Sequence, residues 1–392
     1  MKKLLLTLFF ISSISAYANN ENFDNYFIDG NGYDIKNWGL DPNSYIVPDP
    51  YFPYEYFENK ELENSSWKNS HLTNISFENS NLTNADFENA YINNISFLDA
   101  DCTNVNFRNT IIHWGEFSKN MDGANFEDAY LVNVFLREYF TFDYFKQTKN
   151  YKEKDFAGIH FVYMNLKNWD FTGFTDETSP IVVVYCDLRG AINSNTLLAN
   201  TYIENTIDQD GFIRGFDRSG NTGVNPFSIA RYDGINAKLD KASSILDGAV
   251  LTLESGAILD IVNNSVLTLA NEGTIVFDIS DNLSTSINIE KESGFVLQDG
   301  GTLIINLTDE FVLNDKEINV MSWNDGSTIT GFDKLVKGEN LILKQNGVEF
   351  NDDFWTFEVR SDGLYISIPE PSAYAVVIGA VMLAFAVYRR RK

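Results

Sequence analysis

From Leu62 onward a large apolar residue returns at every fifth position: Leu62, Trp67, Leu72, Phe77, Leu82, Phe87, Ile92, Phe97, Cys102, Phe107, Ile112 and Phe117. Two residues before most of these stands a small or β-branched one, as in Ser65, Ile75, Ala85, Ala90, Val105 and Thr110, and the remaining positions are largely Asn, Asp, Glu and Ser. A period of five fits neither a 3.6-residue helix nor a two-residue strand. It predicts a coil of five-residue sides, each turning one corner, with large and small residues inward and polar residues outward. Four such sides place Phe97 over Phe77 and Phe107 over Phe87. Successive coils would then lie at the usual strand spacing of ~4.8 Å, with backbone groups paired from coil to coil.

The frame slips by one after Phe117 and resumes at Met121, Phe126, Leu131 and Leu136. It returns at Phe156, Phe161, Leu166 and Phe171, and again around Cys186 to Ala191, where Asn193 breaks the central position. Between lies an insert, near 137–155, carrying Tyr139, Phe140, Phe142, Tyr144 and Phe145 among charges. It reads as a loop or short helix packed on the coil stack, or as a binding surface.

Stretches such as Ala85-Asp86-Phe87-Glu88-Asn89 follow an A-(D/N)-L-x-x pattern, and the segment resembles the pentapeptide-repeat family. That resemblance implies a right-handed quadrilateral parallel β-helix over 59–205, preceded by an aromatic cap over 19–58 with Trp38, Tyr51, Phe52 and Tyr54. Glycines and Pro226 mark a linker over 206–236. Over 237–368 short β-rich runs alternate with Gly/Asn/Asp turns. Ala249–Leu253 is echoed by Ser265–Leu269, and Gly273–Phe277 by Gly301–Ile305. This half is similar in texture to autotransporter-type passenger β-helices and is read as a second solenoid or a sandwich. Strands around Trp355–Val359 and Leu364–Ile368 would cap its end. The fold class is all-β.

The two ends carry addresses. Lys2 and Lys3, the apolar run Leu4–Ile14 and Ala16-Tyr17-Ala18 make a secretory signal peptide over 1–18, cleaved after Ala18. Pro369-Glu370-Pro371 precedes the uncharged run Ala373–Tyr388 and the cluster Arg389, Arg390, Arg391, Lys392. The run is near the length of a membrane span, and the cations hold its end in the cytoplasm. Residues 369–392 resemble the PEP-CTERM sorting signal of Gram-negative bacteria. That resemblance implies an exosortase partner, following signal peptidase, and transfer from the inner membrane to the cell surface or extracellular matrix.

The formal net charge is −26. Such a surface repels nucleic acid and anionic lipid. Cys102 and Cys186 fall at inward positions and read as unpaired core residues. His71, His113 and His160 are too scattered to form a zinc or iron site, and no nucleophile elbow or phosphate loop occurs. Asp208-Gln209-Asp210-Gly211 and Asp29-Gly30-Asn31-Gly32-Tyr33-Asp34 resemble fragments of calcium loops without a full ligand series. No catalytic, cofactor or metal residues are assigned, beyond a loosely held calcium. The reading is a non-enzymatic surface or matrix protein, structural and adhesive. The alternative is a carbohydrate-binding or polysaccharide-degrading β-helix meeting exopolysaccharide or a surface glycan, with Arg108, Arg189, Arg214 and Arg218 as candidate groove cations.

Overall fold

The computed structural model describes residues 27–28, 55–174, 181–195, 197–198, 201–216, 227–246, 248–280, 283–308, 316–345, 347–349 and 355–368. The chain divides into two compact units, Met1–Gln209 and Asp210–Lys392. Both are parallel β-solenoids. The signal segment, most of the aromatic cap and the sorting tail lie outside the described residues. Among the described residues no helix is long and apolar enough to cross a membrane.

In the first unit the five-residue period becomes a stack of four-sided coils. One side forms continuous strands, His71–Ser76, Tyr91–Ser96 and Ile111–Glu116, in parallel register (Leu72↔Ile92↔Ile112). The other sides are held by single bridges and backbone bonds one coil apart, such as Leu82 N–H to the Asp101 carbonyl at 2.8 Å. Inside, the aromatic residues form two columns. Phe77 stacks on Phe97 with centroids 5.6 Å apart, and Phe87 on Phe107 at 5.5 Å. The columns meet edge to face, Phe87 against Phe97 at 6.0 Å. Such pairs add to the free energy of burying the rings themselves.

Each corner needs one residue in the left-handed region. Asn64, Asn69, Asn84, Asn89, Asn104 and Asn109 all have φ of 55–61°. Asn is among the few L-residues that adopt this conformation routinely, which explains its recurrence two places after each inward residue. Its amide also joins coils: Asn84 Nδ2 donates to Asn64 Oδ1 at 3.0 Å, and Asn104 Nδ2 to Asn84 Oδ1 at 3.2 Å. Gly123 continues this column at φ 74°, and a Cβ there would sit 2.2 Å from Asn104 Oδ1.

Irregularities are absorbed locally. The slip after Phe117 shortens one coil from 20 residues (Ile92↔Ile112) to 19 (Ile112↔Leu131). Ser118 turns inward in the shortened side and bonds the Ala100 carbonyl. The insert lengthens the next coil to 25 (Leu136↔Phe161). It forms two helices, Phe142–Gln147 and Lys149–Glu153, each with a threonine N-cap, Thr141 and Thr148. Phe140 and Phe145 enter the core, Phe140 meeting Phe126 edge to face at 5.0 Å. Buried Asn150 imitates a strand: its side chain accepts from Leu131 N–H and donates to the Leu131 carbonyl, both at 2.8 Å. At the end of the stack Asn193 faces outward at φ 54°, Ser194 faces inward, and pairing continues to Ile207.

Phe27–Ile28 and Glu55–Tyr56 pair in parallel with Leu72 and Ile75 of the first strand. Phe57 closes the aromatic column, 5.4 Å from both Trp67 and Phe77.

The second unit is three-sided. Its first coils run Phe227–Ile229, Ala237–Leu239, Ser243–Ile245 and then Val250–Leu253, Ile258–Ile261, Val266–Leu269, each strand parallel to its successor. The solenoid is therefore the correct one of the two architectures expected. Its first strand lies inside the 206–236 stretch read as a linker. Alternation is regular in Val250–Leu253 and Thr274–Ile279, with Leu251, Leu253, Ile275 and Phe277 inward. The echo of Ala249–Leu253 by Ser265–Leu269 joins two sides of one coil, whereas Gly273–Phe277 and Gly301–Ile305 do stack (Ile275↔Leu303). Antiparallel pairing ends the unit: Gly363–Ile368 runs against Lys316–Trp323, and Thr356–Arg360 against Gly363–Ile368. A direction reversal blocks further coil addition and covers the open edge.

Candidate functional site

The four sides of the first unit share one core but not one surface. The sides beginning at Glu61, Ser66 and Ser76 carry Asp, Glu, Lys or Arg on their outward positions. Lys68, for example, pairs with Asp86 at 2.8 Å and Glu88 at 3.2 Å, and Arg108 reaches Glu88 at 3.4 Å. The fourth side reads His71-Leu72-Thr73-Asn74-Ile75, then YINNI at 91–95, IIHWG at 111–115 and YLVNV at 130–134, without one charged residue. Its outward rings touch from coil to coil: His71 and Tyr91 at 4.5 Å, Tyr91 and His113 at 5.6 Å.

Trp114 stands out on this side. It has φ 50° at a corner that Asn74 and Asn94 occupy in the coils before it, and it is 48% exposed. A bulky residue in this region is strained. Its ring contacts His160 at 6.1 Å, and His160 meets Phe135 at 4.5 Å. Burial pushes the pKa of His71, His113 and His160 below the ordinary histidine value.

Where this side meets the second helix of the insert, a cleft of about 410 Å³ opens. Ile111 and Tyr130 form its apolar part, and Asn109, Asp128, Lys149, Lys152 and Glu153 its polar rim. The Tyr130 hydroxyl donates to Asp155 Oδ2 at 2.6 Å. Burial, reinforced by that bond, pushes the phenol up to about 12. Lys152 is fixed between Glu127 at 2.5 Å and Asp128 at 2.9 Å. Lys149 lies 5.2 Å from the Tyr130 ring centroid and 3.8 Å from Glu153. Reading for catalytic motifs missed this place. The signal available was negative: charge is missing from one side of the repeat, every 20 residues or so.

The residues singled out for chemistry do not come together. Cys102 and Cys186 are buried free thiols. Burial pushes both thiols far above neutral pH, Cys186 to about 12, so neither serves as a nucleophile. Arg189 is buried and held by Asp187, Nη2 to Oδ2 at 2.5 Å, a structural pair rather than a groove cation. Arg214 faces Asp240 at 3.5 Å. Arg218 and the Asp29–Asp34 turn lie outside the described residues, as do Ala16, Ala18, Pro369, Glu370, Pro371 and the cluster Arg389–Lys392. Among the described residues no group of three or more His, Cys, Asp or Glu is suited to hold a metal ion.

No curated protein matches the chain. Among solved structures it is similar to HetL, a pentapeptide repeat protein involved in heterocyst differentiation regulation from the cyanobacterium Nostoc sp. strain PCC 7120. The identity is 11% over 77% of this chain and 86% of that one, with a TM-score of 0.19, at which the chains do not superpose as wholes. Residues 68–97 match the family model described as Pentapeptide repeats (8 copies). The stacked five-residue sides of the first unit carry the same repeat over this match, in a parallel β-solenoid.

Proposed function

We propose that the protein is an exported, non-enzymatic element of the bacterial cell surface or extracellular matrix, structural in its solenoids and adhesive through one side of the first. The observation that supports adhesion most is the contrast among the four sides, three charged and one bearing uncharged rings in tilted contact beside a cleft. Exposed aromatic surface of this kind on a charged protein is typical of contact sites. Export rests on Lys2 to Ala18 and on the Pro369-Glu370-Pro371 tail with its four terminal cations. In this reading signal peptidase cleaves after Ala18 and an exosortase-type enzyme removes the tail.

The test is fractionation of the native host with an antibody to the first solenoid and a tag after Lys392. The solenoid should reach the surface or medium without the tag. Both signals held together in the inner membrane would make the tail a permanent anchor and end the matrix reading.

A further inference from the structure

We propose that the cleft between the uncharged side and the helix Lys149–Glu153 holds one ring of a neutral glycan. The chain of that glycan would run on along the uncharged side past His113 and Trp114. This deepens the adhesive reading and rests on it only for where the polymer is met.

The shape is suitable: about 410 Å³ falls within the ~300–1,000 Å³ of small-ligand sites. The chemistry is two-faced, as a pyranose is. Ile111 and the Tyr130 ring offer an apolar surface for the C–H face of a sugar, and the rim offers both donors and acceptors for its hydroxyls. The Asn109 amide does both, Asp128 and Glu153 accept, and Lys149 and Lys152 donate. Two carboxylates balance two ammonium groups, so the rim carries no net charge to select an ion.

The rest of the chain, at −26, repels a polyanion. A greasy protein partner would strip water from four charged rim groups without replacing it. A hydroxyl-rich ligand replaces that water bond for bond.

The site is also built in advance. Tyr130 is oriented by Asp155 and Lys152 by Glu127 and Asp128. The strand under Tyr130 is clamped by the Asn150 pair to Leu131. Lys149, 46% exposed at its side chain, lies over the ring. Its contact is of the weak exposed kind, so it swings to a sugar hydroxyl at little loss. Trp114 supplies the reason to expect a polymer. A strained, half-exposed tryptophan where neighbouring coils use Asn gives a second ring platform on the same side.

The experiment is affinity electrophoresis of the purified full-length protein through gels containing soluble β-glucan, mannan or galactan, with alginate as the acidic control. At least one neutral gel should retard the protein and alginate should not. Tyr130→Ala and Ile111→Asp should weaken retardation about tenfold, the loss expected for removing a central contact. Glu63→Ala, on another side, should retain it. If Tyr130→Ala fails to fold by circular dichroism, Ile111→Asp, at an exposed apolar position of the cleft, decides. Passage through every neutral gel, retardation by alginate, or wild-type behaviour of Ile111→Asp overturns the proposal. None of these outcomes depends on export, so failure here leaves the localisation experiment standing, and the reverse.

Discussion

The two solenoids solve the same problem, pairing every strand with the next coil, with opposite tolerances. In the first unit a side has five residues and every one has a fixed role: inward small, outward, inward large, outward, left-handed corner. Coil length is therefore nearly constant at 20 and then 19 residues, until the helical insert raises it to 25. In the second unit the strands alternate in a period of two and the corners are free. The step from coil to coil runs 24 (Leu251↔Ile275), 28 (Ile275↔Leu303) and 38 (Leu303↔Leu341), with the inward residues still in register. A solenoid can thus store its register in corners or in faces. The first device makes the pattern visible and brittle, and the second makes it diffuse and forgiving.

The hardest test of this contrast is a cavity in the aromatic column. Phe97 contacts Phe77, Phe87, Phe107 and Phe117 at 5.4–6.3 Å. Phe97→Ala should destabilise the first unit by about 3–5 kcal/mol. Followed by urea unfolding, only the first unit's transition should move. A matching shift in the second would show that the two do not melt separately.

A smaller effect separates corner from face. One glycine inserted after Asn84 turns Phe87 off the inward line and should cost about 2–3 kcal/mol, the free energy of burying one large side chain. The same insertion after Thr308, on the connection that already lengthens its coil, should stay within about 0.5 kcal/mol, as for an ordinary surface change. Equal costs would refute the division between corner-coded and face-coded register.

What could be read in advance follows the same line. The first unit was legible because Leu62 to Phe117 repeat without a gap, and even the aromatic columns followed from a turn of four sides. The role of Asn was not, because its backbone conformation is invisible until φ is known. The insert's place in the core was hidden too: Asn150 acts as a strand, which no periodicity reports. In the second unit Ala249–Leu253 and Ser265–Leu269 echo each other in sequence yet form two sides of one coil, since free corners leave spacing uninformative. The cleft escaped because its ingredients, Ile111, Tyr130 and Lys149, come from three separate segments and match no motif.

Corner strain gives effects near 1 kcal/mol. Asn84→Ala should lose about 1 kcal/mol, since an L-residue without a local hydrogen-bonding side chain is strained in the left-handed region, and Asn84→Gly should lose only a few tenths. Trp114→Asn should run the other way, stabilising the unit by up to about 1 kcal/mol while removing a ring from the uncharged side. If thermal melts show Trp114→Asn to be destabilising, the contact with His160 outweighs the strain, and strain ceases to be an argument for function there.

The smallest predicted difference between the units is in their response to acid. All three histidines, His71, His113 and His160, belong to the first unit, and the second has none. Each is held below the ordinary value by burial. The unfolded chain takes up protons near pH 6.5, whereas the folded unit resists until a lower pH. Above about pH 6.5 both states are neutral at these positions and stability does not depend on them. As pH falls below that value the unfolded state binds more protons, so the first unit weakens progressively down to the depressed folded values. The ordinary carboxylate range, near pH 4, lies below the window from pH 8 to 5. Melting at those two pH values should therefore lower the first transition only, and His113→Gln with His160→Gln should flatten most of the change. A fall shared equally by both units would place the sensitivity in the acidic surface. A fall confined to the first would tie it to the three histidines, His71 and His113 on the uncharged side and His160 on the side that begins at Ser76.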